Sequence, residues 1–147
     1  MFSLICAHSA FGAEERYPKL WLNPGFFTHH FRSGDFRQDN YGPGLEVVFS
    51  PRDTLLAGSF INSDSERSHY AGYYWRPWHR QAGPVHFSAG LVLGLIDGYP
   101  STNDGGWFPV ALPVVSAQYG IVGANLAFLP HPKNGAALAL QLKLRVW

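Results

Sequence analysis

Residues 26–44, FFTHHFRSGDFRQDNYGPG, set two histidines side by side among aromatic residues, just before a polar turn. An imidazole titrates near neutrality, so it can serve as a general base, a general acid or a metal ligand. Two plainer readings stand beside that one. The pair sits at a strand end near water, or one ring is an interior histidine satisfied by hydrogen bonds. Neighbouring strand residues face opposite ways, so only one of the two can enter an interior. The local pattern groups His29 with Phe27 and Phe31, and His30 with Thr28 and Arg32. A bulge near the strand end would exchange them.

The other ionisable residues suggest less chemistry. His69, His79, His86 and His131 have no metal-ligand spacing, so neither a metal nor a cofactor is expected. Asp97, Asn103 and Asp104 lie in a glycine-bearing stretch, where turn formation accounts for them. Glu46, Lys143 and Arg145 fall on one face of their segments and are expected to form a buried, structural ionic network.

The elements that must position these groups alternate with period two. Val85, Phe87, Ala89, Leu91, Leu93 and Leu95 share one face, with His86, Ser88, Gly90 and Gly94 on the other. Leu138, Leu140, Leu142, Leu144 and Val146 likewise alternate with Ala139, Gln141, Lys143 and Arg145. A soluble sandwich also alternates. Its outer face, however, would carry charge, whereas the second face here is small or hydrogen-bonding. Turn signals divide the chain into eight segments, 20–32, 41–50, 54–62, 68–77, 84–96, 107–118, 121–130 and 136–147. The expected fold is all-β, an eight-stranded antiparallel outer-membrane β-barrel. Trp21, Phe26, Phe27, Tyr73, Tyr74, Trp75 and Trp107 are available for aromatic girdles.

Composition fits that reading. The 147 residues carry a formal charge of only +1, so nothing marks a nucleic-acid partner. Aromatics are 16% and charged residues 14%, without an apolar run long enough for a spanning helix. Residues 1–13 read as the remnant of a signal peptide, and 14–147 as a single barrel domain. Cys6 falls in the first segment, so the mature chain would have no thiol.

Prolines occur where a closed ladder tolerates them poorly: Pro24, Pro43, Pro109, Pro113 and Pro130. Several simply mark strand ends, since proline has no N–H to donate. Alternatively they weaken pairing between particular neighbours and open the wall, giving a lipid sideways access to the interior.

The order of several short stretches resembles the outer-membrane lipid A palmitoyltransferase family. The stretches are NPGFFTHHF, SFINS, YAGYYWRP, PVALPVVSAQYGIVGANLAFLP and NGAALALQLKLR, spread over about Trp21 to Val146. The resemblance implies an outer-membrane enzyme that moves an acyl chain from a phospholipid donor to a lipid A acceptor. It places the catalytic histidine on His29, with His30 as its neighbour, and the serine on Ser63. Asn62 stands where the family has aspartate; its amide could supply an oxyanion donor, and Asp64, Asp35 or Asp39 could supply the missing carboxylate. Tyr73 and Tyr74 fall near the floor of the family's acyl pocket, where bulk would shorten it, so palmitate selectivity does not transfer. Pro24, Pro43, Pro113 and Pro130 fall at the lateral entries. A monomer in outer-membrane lipid is expected, and a non-catalytic lipid-binding or structural barrel is the alternative. A soluble lipocalin-like barrel would leave the Leu138–Val146 face unexplained.

Overall fold

The computed structural model describes residues 15–130 and 135–147. The signal-peptide reading of 1–13, with Cys6, and His131 lie outside the described residues. Eight strands follow one another: β1 (Lys19–His30), β2 (Asp39–Val48), β3 (Asp53–Ile61), β4 (Arg67–Ala82), β5 (Val85–Ile96), β6 (Phe108–Tyr119), β7 (Val122–Leu129) and β8 (Ala137–Arg145). Each pairs antiparallel with the next, and β8 returns to β1, closing the barrel. Closure leaves no free edge between the first and last strands, which removes the usual liability of an open sheet.

The period-two pattern assigns the two faces. In β8, Leu140, Leu142 and Leu144 are exposed outside, while Ala137, Ala139, Gln141 and Lys143 are buried inside. Leu93 and Leu95 of β5 continue the outer belt, with Ser88 buried on the opposite face. Of the aromatics available for girdles, Phe27, Trp75 and Trp107 are exposed. Trp21, Phe26 and Tyr74 are not in a girdle, because their alternation turns them into the lumen.

Small residues on the inner face make the narrow lumen fillable. A Cβ at Gly44 or Gly58 would lie within 2.5 Å of the Tyr70 hydroxyl, so that ring crosses the interior over two glycines. Phe26 packs edge-on against Phe60 and Tyr70, with centroids 5.2 and 5.8 Å apart.

The lower lumen is held by a buried polar network. Lys143 Nζ donates to Glu46 Oε2 at 2.7 Å. Asn125 Nδ2 donates to Glu46 Oε1 at 2.5 Å and to Gln141 Oε1 at 2.8 Å. Ser116 Oγ donates to Asn125 Oδ1 at 2.7 Å and lies 2.9 Å from the Tyr74 hydroxyl. Arg145 is not part of the ion pair; its guanidinium sits 5.8 Å from the Trp21 ring centroid.

One irregularity decides what reaches the upper lumen. Leu22 pairs with Leu144 and Phe27 with Leu140, so β1 takes one residue more than β8 over that stretch. The extra residue lies around Gly25, whose φ of +111° disfavours any side chain. Below it Trp21 and Asn23 face inward; above it Phe26, Thr28 and His30 do. The bulge has exchanged odd for even positions.

The ladder is also incomplete at two proline-bearing places. The β6–β7 pairing stops at Val114–Ala127, although β6 continues to Phe108 paired with β5 alone. Pro109 and Pro113 stand in that unpaired stretch, and Pro130 follows the end of β7. Between β1 and β2 the register breaks from Asn23–Gly44 to Gly25–Tyr41, beside Pro24 and Pro43.

Candidate active site

His30 is the last residue of β1, and Ser63 lies two residues beyond the end of β3. In the barrel wall β2 lies between their two strands. Their contact is direct: His30 Nε2 lies 3.1 Å from Ser63 Oγ. His29 points the other way, exposed, with its ring edge-on to Phe31 at 5.5 Å. It is therefore His30, not the His29 expected from the resemblance, that the structure turns toward Ser63, because the bulge at Gly25 shifts the parity of β1. The local pattern of aromatics had the outward and inward members in the right order.

Both groups stand at the mouth of a cavity of about 720 Å³, within the size range of ligand-bearing pockets. Its walls are apolar, with Leu56, Phe60, Val92, Leu112, Val114 and Leu129 among the lining residues. Glu46, Asn125, Gln141 and Tyr74 form its lower end, so the well stops at the buried network. Asp64, Tyr99, Ser101 and Thr102 share the mouth with His30 and Ser63. Burial pushes the Tyr99 phenol far above its ordinary range, so it stands there as a neutral hydroxyl.

Asn62 is fully buried and wholly engaged. Its Nδ2 donates to Ser68 Oγ at 2.9 Å and to the Gly98 carbonyl at 2.8 Å. Its Oδ1 accepts from the backbone N–H groups of Asp64 at 2.9 Å and Glu66 at 3.0 Å. The amide organises the β3–β4 turn that presents Ser63, and neither of its protons is free for an oxyanion. That corrects the expected donor role. The donor to Gly98 also gives a local reason for an amide, since a carboxylate offers no N–H.

Of the two floor tyrosines only Tyr74 reaches the cavity. Tyr73 faces outward and its hydroxyl donates to Asp53 Oδ1 at 2.5 Å, because alternation puts the two rings on opposite sides of β4. Among the prolines, Pro109 and Pro130 line the cavity. Pro43 and Pro113 are exposed on the outer face, and Pro24 borders an external groove with Leu22 and Leu142. Asp39 is occupied by Arg37, with 3.4 Å between Nε and Oδ1. Among the described residues no carboxylate hydrogen-bonds the His30 ring, and no group of three or more His, Cys, Asp or Glu is arranged to hold a metal.

Phe36 escaped the sequence reading. Its ring stacks on His30 with centroids 4.5 Å apart and 25° between planes. Only a fold that returns the β1–β2 loop over the mouth brings the two together, and nothing in the spacing of Phe36 signals it.

No protein-family model matches the chain. A curated protein of Laribacter hongkongensis (strain HLHK9), named lipid A acyltransferase PagP, is 26% identical over 120 residues. The likeness is to a lipid A acyltransferase, at a distance. The match covers 78% of this chain and 56% of that protein, so the chain spans about half the length of the relative.

Proposed function

We propose that this chain is an outer-membrane enzyme that moves an acyl chain from a phospholipid to lipid A or a related glycolipid. The observation that carries the reading is the Ser63–His30 contact at the mouth of an apolar well. The outer belt of leucines and aromatics suits lipid around the barrel. Short turns at one end and longer loops at the other give the orientation, with the site at the outward, long-loop rim. The name of the distant relative, a lipid A acyltransferase, supports acyl transfer to a lipid A type acceptor.

In this reading the donor enters through the β6–β7 interval beside Pro113 and Pro130, and its acyl chain occupies the well. His30 Nε2 takes the Ser63 proton as Oγ attacks the ester carbonyl. The ester C–O bond breaks, and the lysophospholipid leaves with the proton returned by the imidazolium. An acceptor hydroxyl then attacks the acyl-serine, its proton passing to His30 and back to Ser63. Asp64 at the same mouth supplies negative charge near the imidazolium. Tyr74 and the network beneath it limit the depth available to the chain, so acyl length is set by this lumen rather than by analogy.

The test is release of lysophospholipid in step with acylation of lipid A by the refolded barrel in detergent. A folded barrel that transfers no acyl chain of any length would instead favour a non-catalytic lipid-binding barrel. That no carboxylate among the described residues hydrogen-bonds the His30 ring is the observation that speaks for that second reading.

A further inference from the structure

We infer that Phe36 is a positioning residue, and that the 31–38 loop acts as a latch holding the His30 ring against Ser63. The inference rests on the acyl-transfer reading and goes beyond it by assigning a third participant. Three contacts tie the loop to both halves of the site. The Phe36 ring covers one face of the His30 imidazole at 4.5 Å. The Arg37 N–H donates to the Ser63 carbonyl at 3.1 Å, joining the loop to the β3–β4 turn. The Gln38 carbonyl accepts from the Thr28 N–H at 2.7 Å, joining it to β1 two residues before His30.

Each contact has a separate physical task. The backbone bonds fix the distance between two strand ends that no ladder pairs directly. The stack removes rotational freedom from an imidazole that no carboxylate orients among the described residues. An unrestrained ring would sample orientations in which Nε2 misses Oγ, and loss of near-attack geometry slows transfer steeply. Phe36 also lines the cavity, so the ring shields the pair from water on that side.

Gly34 provides an independent handle on the same stack. A Cβ there would lie 2.7 Å from Phe36 Cε2, with further ring atoms at 3.1 and 3.3 Å. The three nearest atoms it would meet all belong to the Phe36 ring, so Gly34→Ala displaces that ring while leaving Phe36 in the sequence. Arg37 is anchored on the outer side, where its Nε donates to the Asp39 carbonyl at 2.9 Å and its guanidinium covers Tyr41. The displaced ring therefore cannot be followed easily by the rest of the loop.

The experiment compares wild type, Phe36→Ala, Phe36→Tyr, Gly34→Ala and Ser63→Ala in two assays on the refolded barrel. One is acyl transfer, resolved into kcat and KM; the other is the rate at which a fluorophosphonate probe labels Ser63. Phe36→Ala and Gly34→Ala are expected to lower kcat and the labelling rate by about 3–10-fold, with KM little changed. Phe36→Tyr, which keeps the stack, is expected to restore both. Heat-shifted gel mobility verifies that each variant is a barrel. If transfer depends on Ser63 but both rates survive Phe36→Ala and Gly34→Ala, the latch is overturned and the acyl-transfer reading stands. If Ser63→Ala transfers normally, the Ser63–His30 mechanism is overturned, and the latch with it; if the wild-type barrel transfers no acyl chain, it is the acyl-transfer reading that falls.

Discussion

Replacing Lys143 by alanine leaves Glu46 as an unpaired charge inside the barrel. Both partners are nearly inaccessible, at 4% and 2% exposure, and their charged atoms are 2.7 Å apart. At that separation the attraction alone is about 6 kcal/mol for an effective dielectric constant near 20. The measurable cost of truncation is smaller, about 3–5 kcal/mol, because desolvation opposed the pair in the first place. The assay is urea unfolding of the refolded barrel in detergent, followed by tryptophan fluorescence, with Trp21 beside Lys143 as an internal reporter. With a urea dependence of about 2 kcal/mol per molar, the midpoint falls by roughly 2 M. The double variant Glu46→Gln, Lys143→Met removes both charges while leaving an amide oxygen for Asn125, and is expected to recover most of the loss. A Lys143→Ala barrel with the wild-type midpoint, or a double variant as unstable as the sum of the singles, would refute the reasoning.

Three other substitutions probe the wall and the turn. Gly25→Ala puts a Cβ 2.2 Å from the Asn40 carbonyl oxygen at a φ of +111°, so it should cost about 3 kcal/mol by urea midpoint and abolish transfer as His30 is misdirected. Retention of both midpoint and transfer would show that the bulge does not set the site. Asn62→Asp removes the donor to the Gly98 carbonyl, lowering stability by about 1–3 kcal/mol with no gain in activity. Faster transfer in that variant would mean that position 62 serves the reaction rather than the turn. Pro113→Ala restores an N–H one residue beyond the last β6–β7 pair, which should extend the ladder and slow transfer from phospholipid in an intact barrel. Transfer at the wild-type rate would count against lateral entry there.

The barrel was legible because its physics is local. Alternation in segments such as Leu138–Arg145 fixes which side chains face out, and turn residues punctuate the strands, so all eight emerge within a few residues of their ends. The largest departure is β4, which runs on to Ala82 through Pro77; the register shift between Trp75 and Trp78 absorbs the proline. The site was less legible, because it depends on where parity changes. A single added residue at Gly25 reverses the parity expected from Trp21 and Asn23, and its only traces in the sequence are a Pro-Gly pair and the outward run of Phe27, His29 and Phe31. Asn125, Gln141 and Ser116 completed the network around Glu46 and Lys143, yet small polar residues on a strand carry no sign of their partners three strands away. Likewise Asn62 reads as a spare amide until the turn closes around it. Phe36 is one aromatic among many, and its meaning comes only from the loop's return over the mouth.

The most direct test of the account is acyl transfer from labelled phospholipid to lipid A by His29→Ala, His30→Ala and Ser63→Ala barrels measured beside wild type. Loss of transfer in His30→Ala and Ser63→Ala, with His29→Ala near wild type, is the predicted result. Loss in His29→Ala with His30→Ala active would contradict the geometry on which the proposed mechanism is built.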